Sequence, residues 1–197
     1  RMGCILSRPT ETTVRCTGKL KPGAYTIAGN VSSQYITGLL LGLSLMEEPS
    51  TLAITGTIES KPYITMTRKV MTCFGADPDS PGGKPLRSPG VLQVEGDWSN
   101  GAFFLAAGHL GSDLTLDGLN MDSAQGDRAI VKLLQRIKSE RCTICASDIP
   151  DLVPILAIAA ACNHGAIFTN IQRLRLKESD RVASVIAMIE ALGGQAW

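Results

Sequence analysis

Apolar and polar positions alternate along the chain in a pattern that recurs three times. Each copy opens with a strand-like run and a turn, at 25–30, 92–97 and 142–148. A helix that is apolar on nearly every side follows, at 34–46, 102–110 and 152–162. A second β-type segment comes next, at 51–57, 113–119 and 166–171, and then a polar turn rich in Ser and charge. A second, amphipathic helix closes each copy, at 62–74, 127–137 and 180–192. The pattern predicts an α/β chain in which a βαβα unit is written three times. The first helices read as enclosed. The second carry polar positions such as Arg68 and Lys69, Lys132 and Arg136, or Ser184 and Glu190, and so read as partly solvated. Gly38 with Gly42, and Ala157 with Ala161, place small residues at i, i+4, where two enclosed helices could approach closely.

Unit boundaries are marked by glycine. Phe74-Gly75-Ala76 and Leu192-Gly193-Gly194 put a Gly just past the last apolar turn, as helix C-termini prefer. Met2-Gly3-Cys4 has the same form, so the chain is expected to open at the end of a preceding unit. The middle unit has no such terminator near Ile137-Lys138-Ser139-Glu140-Arg141, which predicts a missing segment between about 137 and 142. Between the first and second units, 77–90 carries Pro78, Pro81, Gly82, Gly83, Pro85 and Pro89. It reads as a mobile linker and divides the chain into 1–90 and 91–197.

Composition narrows the function classes. Of 197 residues, 44% are hydrophobic and 19% charged, which excludes a disordered or charge-driven chain. The formal net charge of +1 provides no global field to recruit nucleic acid or an anionic membrane, and 5% aromatics argue against base stacking. The charge-poor stretches 22–46 and 152–172 are interrupted by Asn30, Ser32, Ser33, Gln34 and Thr37, and by Asn163, His164 and Asn170. Neither reads as a membrane span. No apolar run ahead of a small-residue cleavage site stands at the start, so a cytoplasmic protein is expected. Six cysteines are scattered along the chain. Cys142 and Cys145 form a CxxC, but no second pair of ligands stands at metal-binding spacing, and they read as neighbouring thiols in a strand.

With a neutral chain, any anion must be held locally, and three polar clusters stand at predicted helix starts, where free N–H groups and the helix dipole favour negative charge. The first is Asn30-Val31-Ser32-Ser33-Gln34, whose hydroxyls can cap the helix or bond a phosphate. The second is Glu59-Ser60-Lys61-Pro62-Tyr63, which reads as a Ser cap with Pro in the first turn. The third is 173–181. If 173–177 is extended, Arg173, Arg175 and Lys177 share one face and Leu174 and Leu176 the other, lining three cations at the mouth of a helix that begins near Arg181. That arrangement predicts a site for an anionic ligand. Glu178 beside Lys177 suits proton transfer, and Asp151, after Pro150 at an apolar helix start, is either a dipole partner or a buried base.

These residues carry a family resemblance. Gly29-Asn30-Val31-Ser32-Ser33-Gln34-Tyr35, Ser60-Lys61-Pro62-Tyr63-Ile64, Glu95-Gly96-Asp97-Trp98-Ser99, Ile149-Pro150-Asp151 and Leu176-Lys177-Glu178-Ser179-Asp180-Arg181 resemble, in order, the motifs of the 5-enolpyruvylshikimate-3-phosphate synthases. The resemblance implies the enolpyruvyl transferase fold, an inside-out α/β barrel of repeated βαβαββ units in two globular domains. Here 1–90 would be the last unit of one domain and 91–197 the first two units of the other. It also implies transfer of the enolpyruvyl group of phosphoenolpyruvate to the 5-hydroxyl of shikimate 3-phosphate, with loss of phosphate, by a monomer that needs no metal or organic cofactor.

By the same resemblance, Ser32, Ser33, Gln34, Ser60 and Tyr63 hold shikimate 3-phosphate, together with Asp151 and Lys177. Asp151 orients and deprotonates the attacking hydroxyl, Lys177 bridges the reacting oxygens, and Glu178 handles the proton at the methylene carbon. Arg181, with Glu178 and Gln34, holds phosphoenolpyruvate, a task suited to the bidentate fork of Arg. Arg173 falls where some relatives carry an amide facing the shikimate ring, and Asn100-Gly101 replaces a small Ser-Ala pair. The sister enzyme that uses UDP-N-acetylglucosamine shares fold and donor but fits the Ser-Ser-Gln and Lys-Glu-Ser-Asp-Arg patterns less well. A non-catalytic phosphate-binding scaffold is the alternative from another class.

Overall fold

A computed structural model describes residues 2–177 and 179–197. The chain divides into two compact units, Arg1–Leu92 and Gln93–Trp197. It is a mixed α/β protein in which no helix among the described residues is long and apolar enough to cross a membrane.

The first unit opens with an antiparallel hairpin, β1 (Cys4–Thr10) against β2 (Thr13–Gly18), which the hydropathy pattern does not predict because both strands are largely exposed. Gly3, at φ 85°, precedes this hairpin, and the Lys21 amide donates to the Met2 carbonyl. β3 (Ala24–Ala28) then pairs in parallel with β4 (Thr51–Thr55), from Ala24 opposite Thr51 to Ala28 opposite Thr55. Each strand runs into a helix: α1 (Ser33–Ser44) after β3 and α2 (Lys61–Cys73) after β4. Ile36 and Leu40 on α1 and Ile64 and Met71 on α2 recur at helical spacing and bury one face against Ile27, Leu52 and Ile54 of the strands. α2 ends where Gly75, at φ 78°, lets the Ala76 amide reach back to the Met71 carbonyl, the terminator expected from the sequence.

The stretch 77–90 is docked and is not a mobile linker. Ser50 donates to the Pro81 carbonyl at 2.8 Å, Gly83 to Met46 at 3.0 Å and Arg87 to Phe74 at 2.8 Å, while Arg68 pairs with Asp79. A Cβ at Gly82 would stand 2.5 Å from the Glu48 carbonyl oxygen, so the Pro/Gly composition serves close backbone packing here.

In the second unit, β5 (Cys142–Cys145) pairs in parallel with β6 (Ala166–Thr169), from Cys142 opposite Ala166 to Cys145 opposite Thr169. A 3₁₀ turn, Pro150–Leu152, leads into α5 (Val153–Ala161), and a second, Gln172–Leu176, precedes α6 (Arg181–Ala191). α3 (Trp98–His109) and α4 (Ile130–Ser139) complete the core, in which Trp98, Ala102, Ile130, Ile137, Ile144, Leu152 and Leu156 are buried.

α3 begins at Trp98, earlier than its apolar run suggests. The Asp97 carboxylate accepts from the Ser99 and Asn100 amides at 2.8 and 3.4 Å and so caps the helix. The strands expected at 92–97 and 113–119 do not form. Neither finds a ladder partner, and an isolated strand leaves its N–H and C=O groups unpaired. Gln125 supplies part of what a sheet would have given, accepting from the Trp98 amide at 2.9 Å and donating to the Gly96 carbonyl at 2.9 Å, while the Trp98 indole donates to Asn120.

Enclosure of the first helices is met by α5, whose Val153, Leu156, Ala157, Ala159 and Ala160 are buried. It is not met by α1 and α3, where Tyr35, Leu41, Phe103 and Phe104 are about half exposed. Nor do Gly38 and Gly42 seat a helix: nothing lies within 4 Å of a Cβ at Gly38, and Gly42 faces Leu20.

Replacing the Asp97 cap by Ala is expected to cost about 1 kcal/mol in denaturant unfolding, and Asp97→Asn a few tenths. An Ala variant as stable as the parent would show that the cap carries no weight.

Candidate active site

Both parallel pairs leave their helix N-termini at the C-terminal edge of the strands, and almost every residue singled out by the sequence lies there. In the first unit, Ser32 is the N-cap of α1 and its hydroxyl accepts from the Gln34 amide at 3.3 Å. Ser33 is buried and Gln34 exposed. Ser60 begins α2, whose third residue is Tyr63. Gly29 joins the two starts: its amide donates to Thr55, its carbonyl accepts from Glu59, and a Cβ there would come within 2.9 Å of the Thr57 carbonyl oxygen. One turn further on, Thr37 and Thr67 hydroxyls meet at 2.8 Å across the helices. Ser32, Ser33 and Gln34 are therefore brought beside Ser60 and Tyr63.

Ser60 corrects the simple reading of a capped helix. It is buried and sits in the left-handed region, at φ 54° and ψ 40°, and its hydroxyl makes no capping bond. The reason lies in the neighbours. Pro62, at the second helical position, has no N–H to cap, and the Tyr63 amide is taken by the Ser60 carbonyl at 3.2 Å. A non-glycine residue held at positive φ costs about 1–3 kcal/mol and marks a place where the surroundings impose the geometry.

In the second unit, the structure joins two predicted site residues directly. Arg181, the first residue of α6, donates from Nη1 to Asp151 Oδ1 at 2.6 Å and to the Pro150 carbonyl at 3.3 Å. The pair is half-buried and charge-assisted, the stronger class of hydrogen bond. The Pro150 carbonyl is a contact that sequence reasoning missed, although the Ile149-Pro150-Asp151 motif contained it. Lys177 follows the 3₁₀ turn at intermediate exposure. Glu178 lies outside the described residues.

The alternating cation face is not present. Residues 172–176 form a 3₁₀ turn, with the Leu174 amide bonded to the Ile171 carbonyl at 2.9 Å, and three residues per turn replace the two of a strand. Leu174 is buried at 1% exposure while Leu176 stands out at 83%, so the two leucines do not share a face. Arg175 turns to Asp180 at 3.0 Å, away from any line with Arg173 and Lys177. Asp180 caps α6 by accepting from the Ala183 amide at 3.0 Å, and this bond, with a smaller contribution from Arg175, holds its carboxyl below the usual carboxylate range.

At the same edge, Asn170 at φ 57° donates to Cys145 Sγ at 3.1 Å, and Ser147 lies 3.4 Å from that sulfur. These bonds, Ser147 first, hold the Cys145 thiol below its usual range. No spacing rule in the sequence connects these three residues; the strand pairing brings them together. Cys142 is buried and Cys145 exposed, on opposite faces of β5, so they do not act as a pair. Among the described residues, no three His, Cys, Asp or Glu side chains are grouped to hold a metal ion. A separate cavity of about 440 Å³ is lined by α5, β6, α6 and the C-terminal residues, including Ala157, Phe168, Ile186 and Trp197. Among the described residues, none of the predicted site residues lines it.

The family model of EPSP synthase (3-phosphoshikimate 1-carboxyvinyltransferase) matches residues 5–148. The 3-phosphoshikimate 1-carboxyvinyltransferase of Clostridium novyi (strain NT) is 36% identical over 200 residues, covering 89% of this chain and 46% of that protein. Those of Clostridium kluyveri and Brachyspira hyodysenteriae are 37% and 35% identical, over 90% and 93% of this chain and 47% and 50% of their own lengths. The chain thus spans about half the length of the curated relatives it matches.

Because the folded state holds the Asp180 carboxyl below its unfolded value, the cap's contribution is present above the ordinary carboxylate range and is lost as pH falls through the lowered value. Thermal unfolding of Asp180→Asn should therefore fall less steeply than the parent's between neutral and acid pH. Parallel pH curves would show that Asp180 is not coupled to folding.

Proposed function

The chain belongs to the EPSP synthase family, and from that premise we propose that its residues serve the transfer of the enolpyruvyl group from phosphoenolpyruvate to the 5-hydroxyl of shikimate 3-phosphate. The observation that carries this reading is the Asp151 carboxylate held 2.6 Å from the Arg181 guanidinium at a strand edge, a base and an anion receptor in one place. In this reading Ser32, Ser33 and Gln34 at the start of α1, with Ser60 and Tyr63 at the start of α2, bind the phosphate and ring of shikimate 3-phosphate through hydroxyls and the positive ends of the two helix dipoles.

The chemistry follows from the charges. Asp151 orients the 5-hydroxyl and takes its proton as the oxygen bonds to C2 of phosphoenolpyruvate, while the methylene carbon gains a proton handled by Glu178. The tetrahedral intermediate then loses that methyl proton and its C–O bond to phosphate, which regenerates the enol ether and releases inorganic phosphate. Lys177 bridges the reacting oxygens as proton donor and countercharge, and Arg181, with Gln34 and Glu178, holds the donor. No step in this reading is routed through a metal or organic cofactor.

The same reading assigns 1–90 to the last βαβαββ unit of one domain and 91–197 to the first two units of the other, within an inside-out α/β barrel that acts as a cytoplasmic monomer. The β3–α1–β4–α2 and β5–α5–β6–α6 successions support the unit assignment.

Phosphate release from phosphoenolpyruvate should require shikimate 3-phosphate. In the full-length parent protein, Lys177→Met should lower kcat by about 10²–10⁴-fold while leaving the far-UV circular dichroism unchanged. Turnover with UDP-N-acetylglucosamine in place of shikimate 3-phosphate, or near-normal activity of Lys177→Met, would sink the assignment.

A further inference from the structure

Asp151 and Arg181 are thirty residues apart in sequence, at the starts of neighbouring helices, and the fold brings them into an ion pair. Their side chains are 36% and 25% exposed, so solvent and small anions reach the pair while part of its field stays unscreened. Only Nη1 of the guanidinium makes the contacts to Asp151 and to the Pro150 carbonyl. We propose that Asp151 is an internal competitor for anions at Arg181: it neutralises the guanidinium and lowers its affinity for an incoming carboxylate or phosphate, which must displace it. This rests on the reading that Arg181 receives the anionic donor.

Two arguments carry it. An anion arriving at Arg181 enters the field of the Asp151 carboxylate a few ångströms away, and like charges that share one cation oppose each other. The pair also has a fixed anchor. The Pro150 carbonyl belongs to a buried proline in a 3₁₀ turn, so Arg181 keeps a backbone contact when the carboxylate is released and need not be repositioned. Once displaced from Arg181, the carboxylate is able to accept from a substrate hydroxyl. The same exchange that seats the anion therefore turns Asp151 toward the proton it removes in the proposed reaction.

The opposite role, in which Asp151 merely holds Arg181 in place, predicts the opposite sign. In ¹⁵N-labelled protein, the Arg181 Nε–Hε resonance, assigned by its loss in Arg181→Lys, is followed during titration with phosphoenolpyruvate. Asp151→Asn keeps shape and removes charge, and it should bind at least about fivefold more tightly than the parent, the lower end of ordinary coupling between sites. Asp151→Ser, a second neutral variant, should change affinity in the same direction, and thermal unfolding verifies that each is folded. Movement of the resonance in parent and variants with equal or weaker binding in the variants overturns the competition and leaves the clamp assignment standing. A resonance that moves in none of them overturns the clamp assignment, and the inference with it.

Discussion

A parallel strand pair cannot be closed by a tight turn: the chain must leave the C-terminal edge of the first strand, pack a crossover against the sheet and return to the N-terminal edge. That constraint, met once by β3 and β4 and again by β5 and β6, organises the chemistry of this chain. Each helix that follows a strand starts where that strand ends, so its first-turn amides and the positive end of its dipole collect at one edge. Ser32, Ser33, Gln34, Ser60 and Tyr63 gather there in one unit, and Asp151 and Arg181 in the other. Register does the rest, since the five paired positions of β3 and β4 leave no freedom to slide one helix start past its neighbour.

The helix starts are satisfied in different ways, and the difference is informative. Asp97, Asp180 and Ser32 spend their side-chain oxygens on first-turn amides, which is their ordinary use. Ser60 does not, because Pro62 removes one target and the Ser60 carbonyl takes the other. Its hydroxyl therefore does not cap α2, and the backbone takes a left-handed conformation. Strain of this kind persists only where the surroundings over-determine it, and here the buried position beside the Gly29 turn does so. Asp151 and Arg181 show the complementary case, in which two charged groups at helix starts neutralise each other.

Much of this was legible from residue order. Helical periodicity located α1, α2, α4, α5 and α6 to within a few residues, because a one-sided apolar stripe has few other ways to be buried. The short motifs singled out the residues that the strand edges gather. What misled was local pattern without its partners. Alternation at 173–177 looks extended, yet Leu174 is drawn into the core formed with Ala146, Val153 and Val182, and the backbone tightens to 3₁₀ to put it there. Pro and Gly at 77–90 look like a tether, yet they are what allows the backbone to lie against 43–50.

Sequence by itself determined which segments become helices and which polar residues stand near their starts, since these depend on interactions within a few residues of one another. It also sufficed to place the chain in its family, because short motifs in fixed order survive where individual contacts cannot be read. Tertiary structure alone decided that Arg181 bonds to Asp151, that Asn170 reaches Cys145, and that 92–97 and 113–119 remain without a ladder. The reason is physical: a hydrogen bond or ion pair between residues thirty positions apart depends on the packing of the strands and helices between them, and that geometry is not encoded at either residue.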